Sequence, residues 1–227
     1  MKTALVLTAC CLGAMAEMRT IPVTASGGQG MSDPAAAEWK NVPAVSLSLQ
    51  RTPLLFPTDQ PATLDIASVE VRMIRGGGKT LARLEWEDKS KDTASFEKAE
   101  RAWQSERLVR QSEATNRFSD ACALMIPAHG SGGVSPSLQM GDAAHPVKIF
   151  FWDSSRGAAI MDASGRETTK RTGQSFPVQA GWNAGRWTAV FELPELAPGT
   201  PIAVAVWNGG QQDRDGRKYF SIWYKTQ

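Results

Sequence analysis

Met140 and Lys218 are the two residues of this sequence whose type and setting suit chemistry beyond packing. Met140 lies in the turn-like stretch Ser137-Leu-Gln-Met-Gly-Asp142, ahead of the β-patterned run Pro146-Val-Lys-Ile-Phe-Phe-Trp152. Lys218 ends the Gly/Asp-rich stretch Asn208-Gly-Gly-Gln-Gln-Asp-Arg-Asp-Gly-Arg-Lys218, between Pro201–Trp207 and the aromatic run Tyr219-Phe-Ser-Ile-Trp-Tyr224. A thioether is a soft donor that suits ferrous iron. A lysine amine donates to a metal only after losing its proton, and burial in apolar surroundings favours that loss. On spacing alone each residue also has a plainer reading: a methionine filling a gap under a loop, and a lysine as a solvated charge.

The other candidates are fewer. His129 and His145 both lie in Gly/Pro-rich loops, and two histidines without placed carboxylates do not make a zinc site. Cys122, within Ala121-Cys-Ala-Leu-Met125, reads as a small buried hydrophobe. No C-x-x-C-H is present for covalent haem attachment. The G-x-S-x-G, H-E-x-x-H and Walker patterns are absent too. Gly76-Gly-Gly-Lys79 lacks the spacing of a phosphate loop and suits a hairpin.

These residues must be held by a fold. Of the 227 residues, 42% are hydrophobic and 21% charged, a globular balance that supports one domain with a real core. A net charge of +2 gives no electrostatic case for nucleic acid. Eight tryptophans against two tyrosines imply a Trp-rich β core or a pocket for a flat ligand. Short strand-like runs are expected at 44–49, 64–74, 80–87, 120–126, 147–152, 187–193, 202–207 and 219–224, with a Gly76–Gly78 hairpin turn between the second and third. The Glu/Lys/Arg/Ala-rich stretch 92–115, with Phe96, Ala99, Trp103 and Leu108 near helical spacing, predicts a helical insertion. The expected class is an all-β antiparallel sandwich, immunoglobulin-like or carbohydrate-binding-module-like.

The N-terminus reads as a signal peptide over 1–16. Lys2 gives the positive start, Ala4–Gly13 the apolar stretch, and Ala14-Met-Ala16 the cleavage site. Leu7-Thr-Ala-Cys10 also resembles a lipoprotein box, which leaves lipidation of Cys10 as the alternative. Residues 17–36 then form a flexible segment, and 37–227 the sandwich domain. No later run approaches the length of a membrane helix, so a soluble exported protein is expected.

Several patches together resemble a known family. They are Ala37-Glu-Trp-Lys-Asn-Val-Pro-Ala44, Leu84-Glu-Trp-Glu-Asp88, the Phe-x-Asp-x-x-Ala-x-x-x-Pro pattern of Phe118–Pro127, and Met140-Gly-Asp142 with Pro146-Val and Trp152. Gly185-Arg-Trp-Thr-Ala-Val-Phe191 and Val206-Trp-Asn-Gly209 through Gly216-Arg-Lys218 complete the set. The chain resembles the haem-b-binding gamma subunits of the ethylbenzene dehydrogenase, dimethylsulfide dehydrogenase, selenate reductase and chlorate reductase family.

The resemblance implies one non-covalent haem b, with Met140 and Lys218 as its axial ligands and Met125 as the rival methionine. It implies a pocket that includes Trp152 and Trp207, with Phe150, Phe151 and Trp187 as further candidates and Arg186 or Lys148 beside a propionate. It implies a non-catalytic electron-transfer subunit in a periplasmic heterotrimer with a molybdopterin catalytic subunit and an iron–sulfur subunit, exchanging electrons with a soluble cytochrome c. Two other readings stay open: an exported carbohydrate-binding module using exposed tryptophan platforms, and a structural sandwich with no ligand.

Overall fold

Period-two apolar alternation, broken by Gly-rich turns, sets the architecture. The computed structural model describes residues 18–25, 30–52, 64–93, 118–130 and 134–227. Strands β1 (Thr20–Ile21), β2 (Val23–Ala25), β3 (Val45–Ser48), β4 (Gln50–Arg51), β5 (Ser68–Gly76) and β6 (Lys79–Glu87) fill the first part. After them come β7 (Ala121–Pro127), β8 (Val147–Asp153), β9 (Gly157–Ala163) and β10 (Lys170–Arg171). The last are β11 (Val178–Asn183), β12 (Arg186–Pro194), β13 (Pro201–Trp207), β14 (Tyr219–Phe220) and β15 (Tyr224–Thr226).

They form two sheets. The larger runs β1-β15-β13-β7-β8-β9-β10, with β14 joining β13 to β4. The smaller runs β11-β12-β6-β5-β2, with β3 also on β5. The β5–β6 hairpin closes through Gly77 and Gly78, both at positive φ (63° and 76°), where a Cβ-free residue suits a primed two-residue turn. Pairing is antiparallel throughout the centre, and the class is the all-β sandwich expected from the sequence. Among the described residues no helix is long and apolar enough to cross a membrane.

The inter-sheet core comes from the facing surfaces. Val71, Met73, Leu84, Trp86 and Phe191 of the smaller sheet meet Cys122, Leu124, Phe150, Trp152 and Val204 of the larger. Trp187 anchors this layer: its ring meets Trp152 edge-on at 5.2 Å, and its Nε1 donates to Asp120 Oδ2 at 2.9 Å. Cys122 is fully buried here.

Three expectations meet a different structure or none. Residues 17–36 are described at 18–25 and 30–36, and they carry structure: β1 pairs in parallel with β15, and β2 in parallel with β5. The aromatic run 219–224 is not one strand. It breaks between β14 and β15, where Ser221 Oγ accepts from Val204 N at 2.9 Å and so takes the place of a ladder carbonyl. The signal segment 1–16 and the predicted helix at 92–115, apart from Asp92 and Thr93, lie outside the described residues.

Candidate functional site

The outer face of the larger sheet is also apolar. Alternation sends Ala121, Ala123 and Met125 of β7, Ile149 and Phe151 of β8, and Ala203, Ala205 and Trp207 of β13 to the side away from the inter-sheet core. Register puts Ala205 beside Ala123 and Trp207 beside Ala121, with Phe151 across from Ala123. Four alanines on neighbouring central strands make a low, flat floor. Phe151 and Trp207 stand at its side, their rings edge-on at 5.4 Å. Above this floor lies a cavity of about 560 Å³, walled by the loops around 138–142, 164–171 and 208–218. Cofactor-sized ligands occupy pockets of about 300–1,000 Å³ that are mostly apolar with a few placed polar groups.

Met140 lines this cavity. It adopts φ 69°, and Gly141 follows at φ 73°. Left-handed backbone at a non-glycine residue is uncommon and is held only by its surroundings. Here Gly141 N donates to Ser137 O at 2.8 Å, and Gly165 N donates to Met140 O at 2.9 Å. A Cβ at residue 141 would sit 2.6 Å from His145 O, so the glycine is required by space as well as by φ. The Asp142 carboxylate closes the turn by accepting from Ala144 N and His145 N, both at 2.9 Å. Those backbone donors hold its pKa below the usual carboxylate value. The Met-Gly-Asp sequence is thus a complete turn device with Met140 as its display residue.

Lys218 lines the same cavity, from the 208–218 loop. Its Nζ lies 5.3 Å from the Trp207 ring centroid. Burial pushes the amine down to about 8 from an ordinary 10.5; the Arg166 guanidinium lowers it further, and Asp215 opposes both. The loop is fixed from below by Asp213, which is buried. Its Oδ1 accepts from Arg51 Nη2 at 2.7 Å and Arg217 Nε at 3.3 Å, and its Oδ2 from Asn208 N at 3.3 Å. Burial raises the Asp213 pKa to about 6, with Arg51 pulling the other way. Arg51 also donates to Tyr219 Oη, and Trp207 Nε1 donates to Asp215 O at 3.1 Å. Lys218 O accepts from Thr52 N at 2.9 Å, which ties the backbone next to the amine.

The structure brings Met140, Lys218 and Trp207 to one cavity and leaves Trp152 out of it. Trp152 belongs to the inter-sheet core with Phe150 and Trp187. The rival Met125 lies on the floor of the cavity, as does Phe151 on its side. Arg186 is on the other sheet, paired to Glu85 at 3.0 Å and Glu87 at 3.1 Å, and Lys148 is paired to Asp162 at 2.7 Å. The cations that do line the cavity include Arg166 and Arg171, and the latter sits 5.9 Å over the Phe151 ring. Sequence reading missed these and the alanine floor. The two Ala-x-Ala pairs, Ala121/Ala123 and Ala203/Ala205, were the available signal. His129 does not line the cavity, and His145 serves the Asp142 turn. Among the described residues no group of three or more His, Cys, Asp or Glu could hold a metal ion. Metal chemistry in this cavity would rest on sulfur and amine donors.

A soft sulfur, an amine whose pKa is lowered by burial, a flat apolar floor and peripheral cations fit a planar, anionic macrocycle bearing a metal. No family model matches the chain. It is 27% identical over 203 residues to a "Putative respiratory nitrate reductase heme subunit ORF7" of Haloferax mediterranei, covering 84% of this chain and 66% of that relative, just under two thirds of its length. It is 24% identical to the "Chlorate reductase subunit gamma" of Ideonella dechloratans, over 98% of this chain and 94% of the relative. It is 23% identical to the "Dimethylsulfide dehydrogenase subunit gamma" of Rhodovulum sulfidophilum, over 84% and 72%. Among solved structures, a family 9 carbohydrate-binding module from Caldicellulosiruptor kristjanssonii in complex with glucose covers 90% of this chain and 85% of its own, at TM-score 0.44 and 9% identity, a likeness too distant to bear on function. The chain is thus similar, at low identity, to proteins named as gamma or haem subunits of nitrate reductase, chlorate reductase and dimethylsulfide dehydrogenase.

Proposed function

We propose that this chain is a haem b electron-transfer subunit of an exported, periplasmic molybdopterin oxidoreductase complex. It relays electrons between an iron–sulfur subunit and a soluble cytochrome c and performs no substrate chemistry itself. The single observation that carries the reading is that Met140 and Lys218, displayed by turns far apart in sequence, line one cavity over a floor of alanines. The names of the relatives support a redox complex with catalytic partners.

Haem, when bound, would supply one-electron transfer at iron. The chain's own residues do the rest. Met140 and Lys218 would hold the haem iron, a sulfur and an amine leaving no place there for substrate. Ile149, Phe151 and Trp207, which line the cavity, would keep water off the bound group and so tune its potential. Arg166 and Arg171 offer positive charge to the propionates. The Lys218 amine can act as a neutral donor because burial has already weakened its hold on the proton.

The carbohydrate-binding alternative needs exposed tryptophan platforms. Among the described residues Trp39, Trp86, Trp152, Trp187, Trp207 and Trp223 are all buried. Trp182 is half-buried, with its Nε1 donating to Asp88 O.

Expression of the exported protein, followed by a Soret spectrum and pyridine haemochrome, tests the proposal. One haem b per chain is expected, together with a large molybdenum-containing subunit in the complex purified from the native host. A colourless protein that takes up no haemin would refute it.

A further inference from the structure

The loop at 164–171 touches the Met140 turn at two points. Gly165 N donates to the Met140 carbonyl at 2.9 Å. The Thr169 hydroxyl lies 3.0 Å from Met140 Sδ, a hydrogen bond in which the hydroxyl donates and the thioether accepts. The other acceptor within reach, Arg166 O, is farther, at 3.5 Å. Thr169 is half-buried, lines the cavity, and follows the short 3₁₀ turn Arg166–Thr168 in extended backbone. Its β-branch restricts χ1, so the hydroxyl is aimed rather than free to swing. Thioethers are weak acceptors, and a part-buried hydroxyl lying within hydrogen-bond distance of one is a specific arrangement.

Resting on the reading of Met140 as an axial ligand, we propose that Thr169 is the positioning residue for that ligand and sets its donor strength. A thioether sulfur carries two lone pairs. With the Thr169 hydroxyl on one, the other would be left for a metal in the cavity that Met140 lines. Three methionines line this cavity, Met125, Met140 and Met161. The hydroxyl gives Met140 an oriented sulfur as well as a suitable position. It also draws electron density from the sulfur, which weakens donation to oxidised iron more than to reduced iron. Groups one shell beyond a metal ligand orient it and tune its potential in this way. Thr169 therefore raises the reduction potential of the site.

The test compares wild type, Thr169→Val and Thr169→Ser in the haem-loaded protein. Valine keeps the shape and removes the hydroxyl; serine restores it. The readouts are the midpoint potential, the near-infrared sulfur-to-iron charge-transfer band of the ferric form, and the thermal midpoint of the haem-free chain. Thr169→Val is expected to lower the potential and shift the band while leaving the haem-free thermal midpoint close to wild type. Thr169→Ser is expected to return both spectroscopic values toward wild type. Unchanged potential and band in Thr169→Val, in a protein whose wild type shows sulfur ligation, would overturn the role of Thr169 and leave the haem reading standing. A potential lowered equally in both variants would overturn it too, because the hydroxyl would not be the cause. A wild type with haem but no sulfur-to-iron band would instead overturn the ligand assignment on which the inference rests.

Discussion

Gly141 shows how much of the site is decided by single positions. It has φ 73°, and the space that its missing Cβ would take lies 2.6 Å from His145 O. Gly141→Ala must therefore move the His145 backbone or swing Met140 away, at a cost of about 1–3 kcal/mol for strain at such a position. The expected outcome is a modest fall in thermal midpoint with a disproportionate loss of low-spin haem. Calorimetry and the Soret spectrum of one preparation measure both. Retention of the wild-type spectrum would show that the Met-Gly turn does not aim the sulfur. The turns that carry Met140 and Lys218 were legible in the sequence because their Gly and Asp neighbours mark turns, and the structure puts both residues on one cavity. Thr169 was not legible. A threonine between Thr168 and Lys170 has no pattern of its own until the fold lays it on Met140.

At the scale of the strand, β7, β8 and β13 do two jobs with their two faces. One face builds the inter-sheet core and the other floors the cavity. Strands apolar on both sides read as continuous hydrophobic runs, and period-two alternation then cannot say which face looks where. The sequence therefore offers Phe150, Phe151 and Trp152 alike as pocket candidates, whereas the structure gives only Phe151 to the cavity and turns Phe150 and Trp152 inward. The hairpin at Gly77-Gly78 and the β12 run were clear from sequence because turn chemistry and alternation agree there. The alanine floor yields a direct prediction. Ala205→Leu adds bulk over the sheet where no core must be displaced, so the fold should survive with haemin binding lost or greatly weakened. Haemin titration with circular dichroism distinguishes this from misfolding; unimpaired binding would place the macrocycle elsewhere.

A second prediction at this scale concerns the ends of β6 and β7. Asp88 and Asp120 are both buried there, and Asp92 adds a third carboxylate. Burial first, then the Asp120 charge, raises the Asp88 pKa from 3.8 to about 7, and burial raises Asp120 as well. The Asp120 carboxylate accepts from Asp92 N at 2.7 Å, Gly209 N at 2.9 Å and Trp187 Nε1, and so links this pair to the start of the Lys218 loop. The folded chain keeps a proton on Asp88 that the unfolded chain releases near pH 4. Stability should therefore fall as pH rises from about 4 and level off above about 7. Asp88→Asn, which imitates the protonated acid, should make that fall shallower in thermal midpoints measured across pH. Identical slopes for both proteins would contradict a proton held on buried Asp88.

For the whole molecule, two sheets form one sandwich, and a second apolar layer sits outside the larger sheet under three loops. The sandwich class followed from short alternating runs. The parallel edge pairings of β1 with β15 and of β2 with β5 did not, because two- and three-residue strands carry too little alternation to register. The architecture separates two apolar layers: the inter-sheet core holds the fold, while the outer layer lines the cavity. Met140 and Lys218 reach that layer from loops that share no strand pairing with each other, so the ligand itself would complete the contact between them. The most direct measurement is the ferric low-spin electron paramagnetic resonance spectrum and near-infrared charge-transfer band of the haem-loaded chain, recorded for wild type, Met140→Ala and Lys218→Ala. Both variants should lose the wild-type low-spin signal and turn high-spin or haem-poor, with the sulfur band absent in Met140→Ala. A wild-type spectrum preserved in both would contradict the claim that this sulfur and this amine grip one haem.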